Sequence, residues 1–249
     1  RVRKGAIAHF RYSFQGQVSV EPIVFLPGFM CDSRLFRAQT ESLSATRPVH
    51  VAPLGPFDSV REMAGRVLDH APPLFALCGA SLGGMVAMEI ARRAPERITR
   101  MILIATDALT EQPSNAAARE LLIARARAGR FDDAWAEALP AESLAPGPER
   151  ARVQDISLAM ARGLGTEGFQ SQARALQRRP DQQGTLRRIQ LPTLLICGQH
   201  DRLFPPRRHQ LMADLMPMGE ALMLEEAGHL PTLEQPDEVT RVIDLWLTA

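Results

Sequence analysis

The feature that most constrains this chain is a short turn, Gly79-Ala80-Ser81-Leu82-Gly83, with Gly84 next. It lies between an apolar run, Leu74 to Cys78 (LFALC), and a helical pattern from Met85 to Arg93. A GxSxG pattern alone is a weak signal. Between a buried strand and an amphipathic helix it becomes a strong one. A strand-to-helix reversal this sharp holds the central residue in a strained backbone conformation and leaves little room beside it, so glycine is needed at Gly79 and Gly83. The turn sets the Ser81 hydroxyl at the carboxyl edge of a sheet. The start of the next helix then directs free N–H groups at any negative charge that develops there. The competing reading is an ordinary glycine-rich turn.

The rest of the chain repeats the alternation of strand and helix. Pro22 to Leu26, Pro48 to Ala52, Ile98 to Ala105, Leu191 to Cys197 and Ala221 to Leu224 read as further strands. Ser33 to Leu43, Asp58 to His70, Arg207 to Leu215 and Pro236 to Leu247 read as helices, with Ser33 and Asp58 as N-caps. Strands that are apolar almost throughout and alternate with helices predict an α/β fold, a mostly parallel sheet covered on both faces. One or two antiparallel edge strands are expected within Gly5 to Val20. The alternation lapses from about Thr110 to Gln190, where Ala-, Arg- and Leu-rich helical patterns break near Gly129, Pro140, Pro146-Gly147-Pro148 and Gly163 to Gly168. The predicted organisation is a core of residues 1–109 and 191–249, with residues 110–190 inserted as a helical cap.

Composition excludes several classes of partner. The formal net charge of +1 gives no electrostatic case for nucleic acid or an anionic membrane. Arginine is dense between Arg119 and Arg188, but acids and alanines are mixed through it. It reads as a solvated helical surface, with an anion-binding face as the alternative. The odd count of 3 cysteines, Cys31, Cys78 and Cys197, with no CxxC, points to free thiols in a reducing compartment. No apolar run approaches the ~20 residues of a membrane span. Arg1 to Phe10 lacks the apolar region of a signal peptide, so a cytoplasmic location is expected. The chain opens on Arg rather than Met, which leaves a removed presequence open.

A serine hydroxyl needs a base to become a nucleophile. His229, in Ala227-Gly228-His229-Leu230-Pro231, follows the last strand and precedes the closing helix, which places it on a loop at the same sheet edge as Ser81. His200 is the rival. His50 and His70 look structural, and His209 lies on a helix. The base in turn needs an acid to fix its tautomer and stabilise the imidazolium. Asp201 follows the strand Leu191 to Cys197, and Asp107 follows the strand ending at Ala105; Asp201 is favoured. An oxyanion needs backbone donors. The N–H of Leu82 is one candidate. The second comes from the loop Pro27-Gly28-Phe29-Met30, with Phe29 ahead of Met30.

In this order, LPGF (Leu26 to Phe29), GASLGG (Gly79 to Gly84), GQHD (Gly198 to Asp201) and AGHLPTLEQP (Ala227 to Pro236) resemble the α/β-hydrolase superfamily, and in particular its compact, helical-capped esterase and enol-lactonase-like members. The resemblance implies an eight-stranded sheet, a cap and a pocket between cap and core. Many relatives carry His-Gly where this chain has Pro27-Gly28, which changes the packing of that loop but not its backbone donor. Relatives that open epoxides or displace halide carry Asp at the nucleophile position. Ser81 therefore favours acyl cleavage of a carboxylic ester or lactone, in a small to medium, largely apolar substrate.

The pocket candidates are Phe29, Leu82, Leu203 and Leu230, with Trp135 and Phe169 from the cap. No metal or organic cofactor is expected, and the partner is a small molecule. The sequence does not choose between monomer and homodimer. Carbon–carbon bond hydrolysis and cofactor-free perhydrolysis on the same residues are the alternative activities. A small-molecule receptor is the alternative of another class.

Overall fold

The structure, a computed structural model, describes residues 20–248. The chain runs β1 (Ile23–Leu26), a 3₁₀ turn (Ser33–Phe36), α1 (Arg37–Leu43), β2 (Val49–Val51), α2 (Val60–His70), β3 (Phe75–Ala80), α3 (Leu82–Arg93) and β4 (Ile98–Ile104). The inserted helices α4 (Pro113–Arg127), α5 (Phe131–Ala138), α6 (Arg150–Gln177) and α7 (Gln183–Leu186) follow. The chain then returns through β5 (Thr193–Gly198), α8 (Pro206–Leu215), β6 (Gly219–Leu224), α9 (Pro231–Glu234) and α10 (Pro236–Thr248).

Among the described residues the sheet has 6 strands in the order β2-β1-β3-β4-β5-β6, every pairing parallel. The edge strands expected within Gly5 to Val20, which would have brought the count to eight, lie almost wholly outside the described residues. The α/β architecture is as the alternation predicted.

Strand side chains alternate between two faces, and both faces are dry. Ile23, Phe25, Ala76, Cys78, Ile102, Ile104 and Ile196 pack with α1, α10 and the inserted helices on one side. Val24, Leu26, Phe75, Leu77, Met101, Leu103 and Leu195 pack with α2, α3 and α8 on the other. Burying a Leu, Ile or Phe side chain fully contributes roughly 1.5–3 kcal/mol, so strands apolar at every position are stable only between two helical layers. All three cysteines are buried free thiols, and burial pushes Cys31 and Cys197 up to about 12.

The starts of the first three helical elements differ from the expected ones. The N-cap of the 3₁₀ turn that leads into α1 is Asp32, whose carboxylate accepts from the Arg34 N–H at 3.0 Å; Ser33 is the first residue of that turn. Ser59, not Asp58, precedes α2, and Asp58 pairs with Arg178 instead. α3 begins at Leu82, three residues earlier than Met85, because the reversal is complete within the single residue Ser81. The inserted helices break close to the expected points: Gly129 follows α4 with φ +80°, and Gly165, at φ +69°, kinks α6.

Candidate active site

Ser81 occupies the one-residue junction between β3 and α3 at φ 50°, ψ −115°. A non-glycine residue there is strained and persists only when its surroundings fix it. Those surroundings are visible. The Ser81 N–H donates to Ile104 O at 2.9 Å, and its carbonyl accepts from Thr106 Oγ1 at 2.7 Å. The turn also forces backbones together. A Cβ on Gly83 would lie 2.1 Å from Leu26 O, and one on Gly79 would lie 2.3 Å from Gly83 O. Ser81 is 7% exposed and lines a cleft of about 990 Å³, its open mouth included.

His229 lines the same cleft, on the loop between β6 and α9. Its Nδ1 lies 2.9 Å from Asp201 Oδ2. Asp201 follows β5 and is 3% exposed; its Oδ1 accepts the N–H groups of Leu203 (2.8 Å) and Phe204 (3.0 Å). The carboxylate is thereby held by its own loop while its second oxygen faces the imidazole. That arrangement leaves Nε2 of His229 as the ring atom able to take up a proton. The rival residues are placed differently. His200 donates its backbone N–H to Ala227 O and does not line the cleft. Asp107 lines the cleft but pairs with Arg208, and burial pushes its carboxyl up.

Residues not singled out in the sequence hold this arrangement in place. Glu234, at the end of α9, accepts the N–H groups on either side of His229, from Gly228 at 2.9 Å and Leu230 at 2.8 Å, and also that of Ala145 at 2.6 Å. The His229 N–H itself donates to Ser143 O at 2.7 Å. The His229 loop is thus tied to the inserted segment. Under the serine, Thr106 N–H donates to His209 Nε2 at 3.0 Å. His209 is fully buried, and burial lowers its pKa to about 4, so near neutral pH it is an uncharged acceptor.

The loop after β1 carries the other half of the site. Met30 has φ +53°, and its N–H donates to Oε1 of the buried Gln172 on α6 at 2.8 Å. Gln172 Nε2 donates to Gly55 O at 3.1 Å. Gln172 is therefore a clamp from the insert onto this loop. No local sequence signal marks it, because a lone Gln on a helix reads as surface.

Of the apolar pocket candidates, Phe29, Trp135, Leu203 and Leu230 line the cleft. Leu82 and Phe169, also expected there, are not among its lining residues. Leu82 is fully buried in the α2–α3 side of the core. Phe169 is 1% exposed and packs edge-on against the Phe29 ring, with centroids 5.2 Å apart, and against Phe131 at 5.8 Å. Each is an apolar residue close to the site that packing drew into the core. Among the described residues no helix is long and apolar enough to cross a membrane.

Known proteins resemble this chain in sequence and in fold. A pimeloyl-[acyl-carrier protein] methyl ester esterase of Klebsiella pneumoniae is 28% identical over 248 residues, covering 86% of this chain and 88% of that protein. A thermophilic esterase from Thermogutta terrifontis, solved with malate bound, superposes with a TM-score of 0.83 at 28% identity, covering 92% of this chain and 89% of the other. The enol-lactonase of Burkholderia xenovorans LB400 shares the fold, with a TM-score of 0.78 at 24% identity over 92% of each chain. The alpha/beta hydrolase family matches residues 23–242, which include all six described strands and every element that carries the site, and the chain belongs to that family.

Proposed function

We propose that this protein is a serine hydrolase that cleaves a carboxylic ester or lactone of a small to medium, largely apolar substrate through an acyl-enzyme. The observation that carries the reading is one cleft lined by both Ser81, at a strained turn, and His229, whose Nδ1 is bonded to Asp201 at 2.9 Å. The two relatives described as esterases, each 28% identical, support it.

In this reading Ser81 Oγ attacks the carbonyl carbon while His229 Nε2 takes its proton. Asp201 holds the imidazole in the tautomer that can accept and stabilises the imidazolium that forms. The oxyanion of the tetrahedral intermediate takes the N–H of Leu82, at the start of α3, where the helix dipole adds to the bond. Its second donor is the N–H of Phe29 rather than Met30, because the Met30 N–H already donates to Gln172. As the intermediate collapses, His229 gives its proton to the leaving oxygen. Water, deprotonated by His229, then attacks the acyl-enzyme, and the acid leaves with Ser81 restored.

The helical segment 110–190 serves as the cap. It contributes Arg119, Trp135 and Leu139 to the cleft, and its Ser143 carbonyl and Gln172 side chain hold the two loops of the core. The test is acid quenching of the protein during turnover of p-nitrophenyl acetate, followed by peptide mass mapping. An acetyl group on the peptide containing Ser81 is the expected result. Turnover with no acylated Ser81 at any quench time overturns the mechanism.

A further inference from the structure

The cleft that holds Ser81 and His229 also carries Asp107, Glu111, Arg119, Arg179 and Arg208. Three guanidinium groups thus stand against two carboxylates. Arg179 and Glu111 form a sealed pair, with side chains 5% and 2% exposed and 2.5 Å between Nη1 and Oε2. Arg179 also donates from Nε to Leu109 O and from Nη1 to Leu176 O, so its bonds tie the insert to the loop after β4. It is structural.

Arg119 and Arg208 are different. Arg119 bonds to the same Glu111 oxygen through Nε alone, at 2.8 Å, and its guanidinium lies 5.8 Å from the centroid of the Phe29 ring, on the proposed oxyanion loop. Arg208 lies 3.5 Å from Asp107 Oδ2, too long for a hydrogen bond, while Asp107 Oδ1 takes the Leu109 N–H. Among the described residues the terminal nitrogens of Arg119 and Arg208 carry no hydrogen bond. Their side chains are 21% and 29% exposed, so both are partly withdrawn from water. A guanidinium fork matches a carboxylate with paired, charge-assisted bonds.

We propose that Arg119 and Arg208 form an anion subsite in the cleft, and that the substrate is an ester or lactone carrying a free carboxylate at the end away from the scissile bond. The apolar stretch between the two ends lies against Phe29, Trp135 and Leu203. This deepens the ester-hydrolase reading and rests on it. It also assigns a role to part of the arginine-rich insert, which in the sequence reads as solvated surface.

The test separates the two ideas. Ser81→Ala protein is titrated calorimetrically with the monomethyl esters of dicarboxylic acids from succinate to suberate, and with the matching dimethyl esters. The native protein is assayed for turnover of the same compounds. At one or more chain lengths the half-ester should bind at least about tenfold tighter than its diester at low salt, and the preference should shrink as salt screens the charge. Arg208→Met and Arg119→Met, each placed in the Ser81→Ala background, should bring the ratio close to one.

Equal affinity for half-ester and diester throughout the series overturns the subsite, as does a preference that survives both arginine substitutions. Turnover without discrimination leaves the ester reading standing and removes the subsite. Discrimination without turnover does the reverse. Should Arg119→Met lose its circular-dichroism signature of folding, Arg208→Met and the salt dependence decide the question.

Discussion

Asp201 Oδ2 stands 2.9 Å from His229 Nδ1, although the two residues are 28 apart in sequence and lie on different loops. The pairing of β5 with β6 in register, from Thr193 with Gly219 to Gly198 with Leu224, brings those loops side by side. Asp201→Asn keeps the size of the side chain but allows the imidazole the wrong tautomer. It should lower kcat by about 10³–10⁴-fold with little change in thermal stability. Steady-state kinetics and a melting curve on the same preparation check this; a loss below tenfold contradicts the role given to Asp201.

Glu234 is the largest local investment around His229, since one buried carboxylate takes the N–H groups of residues 145, 228 and 230. Leaving a buried donor unpaired costs about 1–3 kcal/mol. Glu234→Ala should therefore destabilise the fold by about 3 kcal/mol or more in urea denaturation. Glu234→Gln keeps one acceptor oxygen and should cost less. In both variants kcat should fall by more than KM rises, because the His229 loop loosens while the apolar cleft remains.

His209 predicts a pH dependence. Its pKa is about 4 in the folded protein against 6.5 ordinarily, because burial disfavours the charged ring. Below 6.5 the unfolded chain binds the proton more readily than the folded one. Its contribution, about 3 kcal/mol by linkage, is present above pH 6.5 and is lost as pH falls towards 4. The midpoint of chemical denaturation should drop across that window. His209→Gln should flatten the slope there, and an unchanged slope in the variant removes His209 as its source.

Gly83 tests the turn. A Cβ there would stand 2.1 Å from Leu26 O, a backbone atom that cannot swing aside. Gly83→Ala should push α3 from β1 and cost on the order of 3 kcal/mol or more. Chevron or equilibrium denaturation measures it, and a loss under about 1 kcal/mol would show that the elbow is less crowded than described.

The parts of this molecule that are legible in its sequence are those with a local physical signature. Strands buried on both faces read as continuous apolar runs, and the Ser81 turn is marked by glycines that steric crowding requires. The positions of Asp201 and His229 follow from their places after strands of a parallel sheet, whose loops gather at one edge.

What the sequence hides are long-range contacts. Gln172 reaches Met30 across 142 residues and Glu234 reaches Ala145 across 89, and neither leaves a pattern around itself. For the same reason Leu82 and Phe169 could not be told from cleft residues: apolar side chains near a site look alike until packing assigns them. Arg119 and Arg179 were hidden in an insert whose composition is that of a solvated helix.

Ser81 as the nucleophile of an ester hydrolase is tested most directly by hydrolysis of a p-nitrophenyl ester series, from acetate to decanoate, by the native protein and by Ser81→Ala. Saturable turnover by the native protein is expected, with a fall in kcat/KM of several orders of magnitude in the variant and a small residual rate above water left by the oxyanion donors. Turnover that survives in Ser81→Ala would contradict the assignment of the nucleophile. A folded native protein that hydrolyses no ester of the series would contradict the activity, and would favour carbon–carbon cleavage or ligand reception by the same cleft.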